Sequence, residues 1–336
     1  MDELFRKAVE AHRAGDYETA ITGYRELQHR RNARHNLGAL LNQLGRLDEA
    51  EAALRPIVEQ FPDFAASRFS LAMVLLAQER YAEGWPLYEA RRYVGNAGVF
   101  DPQTTAAEWR GEPLAGRRIV VCAEQGYGDL IMFARYLPAL RATGAEVVLG
   151  CNRVIAPLLT ELGLPIALFT HAHRALPPCD AWTLIGSLPL RLGLFGSPPP
   201  PLPFGPAPRG GGGTGVVPTG SAGHLNDAHR SMPPEAAARL LALGRDLRPE
   251  ATGARDFRET AEIVATLDRV LAVDTAIAHL AVAQKVETWV LLPAFGADWR
   301  WGRGDRSPWY PEARLLRQAA PGDWPGVLEA AARAAA

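Results

Sequence analysis

At 336 residues the chain exceeds what one hydrophobic core ordinarily organises, and two or three domains are expected. Hydrophobic residues make up 48% and charged ones 22%, with a net charge of −1. That balance fits a soluble globular protein and offers no basic footprint for nucleic acid or for an anionic membrane.

The first hundred residues repeat. "GDYETAITGYREL", "GRLDEAEAALRPI" and "ERYAEGWPLYEAR" align without gaps, each carrying a small residue (Ala20, Ala50, Gly84) and a large one four later (Tyr24, Leu54, Tyr88). A helical segment precedes each. The small residues are 30 and then 34 positions apart, the second spacing being the tetratricopeptide period. Residues 1–95 therefore look like about three tetratricopeptide repeats, with small side chains where paired helices approach closely. Such arrays expose a groove suited to extended peptides, so a protein or peptide partner is expected there.

From residue 96 to 116 the helical pattern lapses into Gly, Pro and Asn, as in a connector. "RRIVVC" reads as a buried parallel strand, "FARYLPALRATG" as a helix, "AEVVLGC" as a strand and "VIAPLLTELG" as a helix. This alternation makes 117–195 a Rossmann-like unit. Residues 196–215 are dominated by Pro and Gly and read as a flexible interdomain linker. Alternation resumes over 216–336, and two such units would form a cleft beyond the strand C-termini. The class is α plus α/β, helical repeats followed by two Rossmann-like domains.

Three stretches could carry chemistry. In "RVLAVDTAIAHLAVA" a strand ends at Asp274 and a helix starts at Thr275 or Ala276. Asp274 or Thr275 could cap that helix, and its N-terminus favours a phosphate. His279 follows Thr275 by four, on the same face. "HLNDAHRSMPPEAAARLL" offers Asn226, Asp227, Arg230 and Ser231 before a helix, Arg230 being suited to phosphate and Ser231 to a cap. In "VCAEQGYGDLIMFARYLPAL", Gly126 and Gly128 allow close backbone approach after a strand. Asp129 there is either a helix-start acid or a general base facing a cleft. The aromatics Trp299, Trp301, Trp309 and Tyr310 are either a sugar platform or core.

Cys122, Cys151 and Cys179 are widely spaced without a CxxC pair. They support neither zinc nor a disulfide framework and fit a reducing compartment. The N-terminus has no apolar leader core and no window approaches about 18 apolar residues, so a cytoplasmic protein with no membrane span is expected.

The order of these pieces, repeats then "EWRGEPLAGRRIVVCAEQGYGDLIMFARYLP", "NDAHRS", "DFRETAEIVATLDRVLAVDTAIAHLA" and "DWRWGRGDRSPWYPEARLLRQ", resembles bacterial tetratricopeptide glycosyltransferases. These are related to the ADP-heptose:lipopolysaccharide heptosyltransferases (glycosyltransferase family 9). The resemblance implies the GT-B arrangement, a nucleotide-sugar substrate, no cofactor and no obligatory metal. It puts the catalytic base on Asp129. Nucleotide and phosphate contacts fall on Gly126, Gly128, Arg230, Ser231, Asp256, Asp274, Thr275, Ala276 and His279. Weaker acceptor or sugar contacts fall on Gln125, Tyr127, Asn226, Asp298 and Trp299. The acceptor would be a protein, flagellin-type for instance, or a glycan, and the displacement inverting. Between Leu243 and Asp256 the chain is shorter than such relatives, so the second Rossmann-like domain is expected to lack a strand. The alternative reading is a non-catalytic repeat module carrying a degenerate transferase domain.

Overall fold

A computed structural model of the chain describes residues 3–95, 98–99, 101–170, 175–224 and 226–335. Residues 1 and 2 of the expected first repeat and 96, 97 and 100 of the expected connector lie outside the described residues. The chain divides into a unit of residues 1–97 with 294–303 and a unit of 98–293 with 304–336.

Among its described residues the first unit contains three helix pairs: α1 (Glu3–Arg13) with α2 (Tyr17–Glu26), α3 (Arg31–Gln43) with α4 (Leu47–Gln60), and α5 (Ala65–Ala77) with α6 (Tyr81–Tyr88). The repeated small and large positions face its core: Ala20, Ala50, Tyr24, Leu54 and Tyr88 are buried, and a Cβ on Gly84 would meet Leu76 Cδ2 at 2.8 Å. One turn joins the helices of every pair. Gly15, Gly45 and Glu79 occupy its left-handed position, at φ of +81°, +71° and +60°. The next residue's N–H, from Asp16, Arg46 or Arg80, returns to the carbonyl of Ala11, Leu41 or Leu75. This is the Schellman closure of a helix C-terminus. Two of the three turns carry glycine, and the third forces a glutamate into a conformation unfavourable for residues with a Cβ.

Among the described residues the second unit holds two five-stranded parallel sheets. The first contains β1 (Ala107–Glu108), β2 (Arg118–Cys122), β3 (Glu146–Cys151), β4 (Ile166–Leu168) and β5 (Ala181–Leu184), in the order β1-β5-β2-β3-β4. Its helical segments are α7 (Tyr127–Phe133), α8 (Leu137–Ala142), α9 (Ala156–Leu159) and α10 (Leu188–Arg191). The second contains β6 (Thr214–Val217), β7 (Arg245–Asp246), β8 (Arg269–Val273), β9 (Glu287–Leu292) and β10 (Arg314–Arg317), in the order β10-β9-β8-β6-β7. Its helices are α11 (Asp227–Arg230), α12 (Pro234–Leu241), α13 (Pro249–Thr252), α14 (Phe257–Val264), α15 (Ala276–Ala283) and α16 (Trp324–Ala335). The apolar runs Ile119–Cys122 and Val270–Val273 are central and buried, as continuous apolar segments in parallel sheets should be. Both sheets are Rossmann-like, since strand order reverses beside the first long strand of each, between β2 and β5 and between β6 and β8.

Three expectations need correction. The second sheet does not lack its strand: "GRDLRPEATGAR" supplies β7, two residues long, paired to β6 at the sheet edge. So short a strand leaves no hydrophobic pattern to read. The expected connector 96–116 contributes β1, buries Trp109 and Leu114, and sends the Trp109 N–H to the Trp182 carbonyl at 2.8 Å. The expected flexible linker 196–215 is pinned: Phe204 is fully buried, and the Gly205 N–H donates to Glu161 at 2.7 Å. The N–H groups of Gly211 and Gly213 hold the two oxygens of Asp268 at 2.6 and 2.9 Å. Hydrogen bonding by backbone, invisible to composition, fixes it.

Replacing Glu79 by Gly should stabilise the repeat unit by about 0.5–1 kcal/mol, and Gly45→Ala should destabilise it by about 1 kcal/mol. Urea unfolding of both variants checks the pair. Equal midpoints in the two would contradict the shared turn.

Candidate functional site

Ligands of open parallel sheets sit beyond the strand C-termini where strand order reverses. In the first sheet that place is occupied by the loop after β2, Ala123 to Gly126, and the residues after β5. In the second it is occupied by the loop after β6, Pro218 to Gly220, and by Asp274 and Thr275 after β8. Most of the singled-out residues thus fall at one or other reversal by chain order alone.

Helix α7 begins at Tyr127 with Gly126 as its cap residue, and the Asp129 carboxylate accepts the Gly126 N–H at 2.9 Å. Asp129 is therefore a helix-start acid in geometry, and half-buried. Gly126 has φ −99°, so no left-handed backbone requires glycine there. Gly128 is glycine for lack of space: a Cβ on it would stand 2.6 Å from Cδ2 and 3.1 Å from Nε2 of His279. Helix α7 of the first sheet lies directly on α15 of the second at this point. Gln125, just before, holds φ +59° while its N–H donates to the Gly98 carbonyl at 3.0 Å, a strained conformation of the kind concentrated at functional loops.

Across the contact, Thr275 is the cap residue of α15 and Ala276 its first residue, but the Thr275 hydroxyl makes no capping bond. Its Oγ1 is buried without a hydrogen-bond partner, correcting the expectation of a capped helix. An unpaired buried hydroxyl costs about 1–3 kcal/mol. His279 is also buried. Its Nδ1 lies 2.9 Å from the Tyr310 hydroxyl and its Nε2 3.7 Å from Asp274 Oδ1. Gly128, Tyr310 and Asp274 surround the imidazole.

Arg230 is fixed at the same reversal. Its Nη1 donates to the Asp274 carbonyl at 3.0 Å and its Nη2 to the Ser221 carbonyl at 3.3 Å, and it pairs with Asp227 at 3.3 Å. The guanidinium lies against Gly220, whose missing Cβ makes the room. Ser231 does not cap α12. Its hydroxyl donates to Asp227 and accepts the Gly220 N–H, each at 2.8 Å. Asn226 heads α11 and donates its N–H to His224 Nδ1 at 3.1 Å. Desolvation pushes the His224 imidazole below the ordinary histidine value and Arg230 adds to this, while Asp274, Asp129 and Asp227 oppose it. One histidine thus feels acids from both sheets, which joins Asp129 electrostatically to the Arg230 and Asp274 group.

Other candidates do structural work. Asp256 caps α14, accepting the Glu259 N–H at 2.9 Å. Tyr127 packs on Phe257 with ring centres 4.9 Å apart and accepts from Asn152 Nδ2 at 2.9 Å. Asp298 and Trp299, expected near an acceptor, belong to the repeat unit. There Trp299 is buried edge-on against Trp85, 5.7 Å between centres, and Asp298 pairs with Arg300 at 2.8 Å. Among Trp299, Trp301, Trp309 and Tyr310, all buried, none is a platform. Burial pushes the Cys151 thiol up to about 12, which leaves it inert as a nucleophile. Among the described residues no group of three or more His, Cys, Asp or Glu is arranged to hold a metal ion, and no helix is long and apolar enough to cross a membrane.

Two residues escaped sequence reasoning. Arg135 is buried and joins the two sheets of this unit. Its Nη1 donates to the carbonyls of Trp309 and Pro199, both at 2.9 Å, and its guanidinium lies over the Tyr310 ring at 4.9 Å. The signal was a lone cation amid the apolar Phe133, Ala134, Tyr136 and Leu137. Glu124 is buried and accepts the Gly186 N–H at 3.0 Å, tying the loop after β2 to the residues after β5. A carboxylate at the end of an apolar strand was its only trace.

No protein-family model matches the chain. Among curated proteins it is similar to protein FlbA of Caulobacter vibrioides, 32% identical over 165 residues, which make up 45% of this chain and 28% of FlbA. The chain thus matches well under two thirds of that protein's length. Among solved structures it is similar to the iron-containing dodecameric heptosyltransferase TibC in complex with ADP-D-β-D-heptose. The TM-score is 0.41 at 12% identity, covering 63% of this chain and 66% of that one. TibC from enterotoxigenic E. coli H10407 gives 0.40 at 11%, over 63% and 65%. An O-GlcNAc transferase mutant of Thermobaculum terrenum gives 0.31 at 16%, over 99% of this chain and 89% of that one.

The Gly128 contact makes a direct prediction. Gly128→Ala should cost about 1–3 kcal/mol through overpacking on His279, and Gly126→Ala under about 1 kcal/mol, read by thermal or urea unfolding. Comparable losses at both positions would deny the close approach its role.

Proposed function

We propose that the chain is a glycosyltransferase that moves a sugar from a nucleotide-sugar donor to a protein or glycan acceptor, with inversion and without a metal. The observation that carries this reading is the convergence of two strand-order reversals. The Asp129 helix start of the first sheet meets the Asp274, Thr275 and His279 segment of the second through Gly128 and His279. Departure of a nucleoside diphosphate builds negative charge that fixed donors must meet. The N-terminus of α15 with Ala276, the unpartnered Thr275 hydroxyl and the Arg230 guanidinium supply them. Asp129 is the base for the acceptor hydroxyl. The repeat unit is the surface for a protein partner, and the cytoplasm is the compartment.

One observation favours the second reading, a non-catalytic repeat module with a degenerate transferase domain. The Thr275 hydroxyl is sealed from solvent, and α7 lies on α15 with no room for a side chain. A donor therefore enters only if these helices part.

Thermal unfolding with ADP, UDP, GDP and CMP separates the readings. Binding at about a hundredfold excess over Kd should add roughly 2.7 kcal/mol and raise Tm by about 5 °C or more. No shift with any nucleotide sinks the transferase reading. Where one binds, Asp129→Asn should keep both the binding and the helix start, because an amide oxygen still accepts the Gly126 N–H. Transfer should then fall by about a hundredfold or more, measured as sugar incorporated into acceptor.

A further inference from the structure

The second unit contains a buried relay that the proposed chemistry leaves unused. His279 Nδ1 lies 2.9 Å from the Tyr310 hydroxyl, both residues being almost wholly buried. On the other side of the ring, Nε2 faces Asp274 Oδ1 at 3.7 Å and the Cα side of Gly128. A carboxylate can only accept, whereas a phenol can donate or accept. Of the two single-proton tautomers, the one with the proton on Nε2 turns an N–H toward the Asp274 carboxylate 3.7 Å away and leaves Nδ1 to accept from the Tyr310 hydroxyl.

Tyr310 is itself held from the first sheet's side. Arg135 follows α7, the helix that carries Asp129. Its guanidinium lies over the rings of Tyr310 and Trp309 at 4.9 and 5.1 Å, and its Nη1 donates to the Trp309 carbonyl at 2.9 Å. The N–H groups of Trp309 and Tyr310 both donate to the buried Ser307 hydroxyl, at 3.0 and 3.2 Å. The hydroxyl of Tyr310 therefore has little freedom to leave the imidazole.

We infer that Tyr310 is a positioning residue for His279: it fixes the Nε2–H tautomer, so that the imidazole presents an N–H on the Asp274 side, with Arg135 holding Tyr310 in place. This deepens the sugar-transfer reading and rests on it for the ligand, a nucleoside diphosphate. The second partner of a functional histidine sets which nitrogen carries the proton. Here that partner lies 31 residues further along the chain, so the fold and not the local sequence brings the two together.

The test uses the full 15N-labelled chain. Long-range 1H–15N spectra of the imidazoles, with His279→Gln to assign the signal, are expected to show the Nε2–H form of His279. Tyr310→Phe should convert it to a mixture of tautomers. The same variant should weaken binding of whichever of ADP, UDP, GDP or CMP binds by about tenfold. In the His279→Gln background it should weaken binding no further. Arg135→Lys, which keeps the charge but loses the planar fork, gives a second variant with the same readout should Tyr310→Phe not fold. A wild-type Nδ1–H form, or a His279 signal unchanged by both substitutions, overturns the inference. Failure of every nucleotide to bind the wild type overturns the sugar-transfer reading instead, and the tautomer spectra still decide on Tyr310.

Discussion

The absence of a side chain at Gly128 is the constraint on which the second unit's arrangement depends. Helix α7 belongs to one sheet and α15 to the other, and they meet where the imidazole of His279 occupies the volume a Cβ would need. Two β-sheets built from separate stretches of chain could pack in many ways. This contact selects one in which the start of α7, with Asp129, lies beside the start of α15, with Thr275. The close approach of the acid's helix to the start of α15 thus requires that steric allowance. Interiors are close-packed enough that a single methyl group there is felt.

Around that point the structure invests buried polar groups. Arg135, Glu124, His279 and Arg230 are all removed from solvent, and each is tied to backbone carbonyls, backbone N–H groups or a hydroxyl. Buried charges persist where such bonds are made. The Glu124 bond runs from the loop after β2 to the residues after β5, at the reversal of the first sheet, and those of Arg135 reach the distant carbonyls of Pro199 and Trp309. The Thr275 hydroxyl departs from this pattern, being buried with its bond unmade. That hydroxyl stands at the cap position of α15, beside the strand-order reversal of the second sheet.

The aromatic stretch near the C-terminus shows how one sequence segment serves two cores. Trp299 and Trp301 lie in the unit of the helical repeats, where Phe295 also stacks on Tyr17 with centres 4.6 Å apart. Trp309 and Tyr310 lie in the α/β unit, against Phe133, Tyr136 and Arg135. A string of tryptophans reads alike in either place, because composition records how much apolar surface must be covered and not what covers it. The repeat unit accordingly includes ten residues remote in sequence, 294–303.

The sequence by itself determined the elements whose pattern is local. Helix pairs followed from small and large residues at a fixed offset, and central strands such as Ile119–Cys122 from unbroken apolar runs. The acid at the start of α7 followed from a glycine-rich turn after a strand. Only the tertiary structure decided the rest. Edge strands of two residues, β1 and β7, have no periodicity to detect, since their existence depends on a neighbouring strand offering hydrogen-bond partners. The order of strands, the pinning of the Pro- and Gly-rich segment by Asp268 and Glu161, and the capture of His279 by Tyr310 all join residues far apart in the chain. Such pairings arise from close packing and from the need of buried polar groups for partners, and neither constraint is written in any single window of sequence.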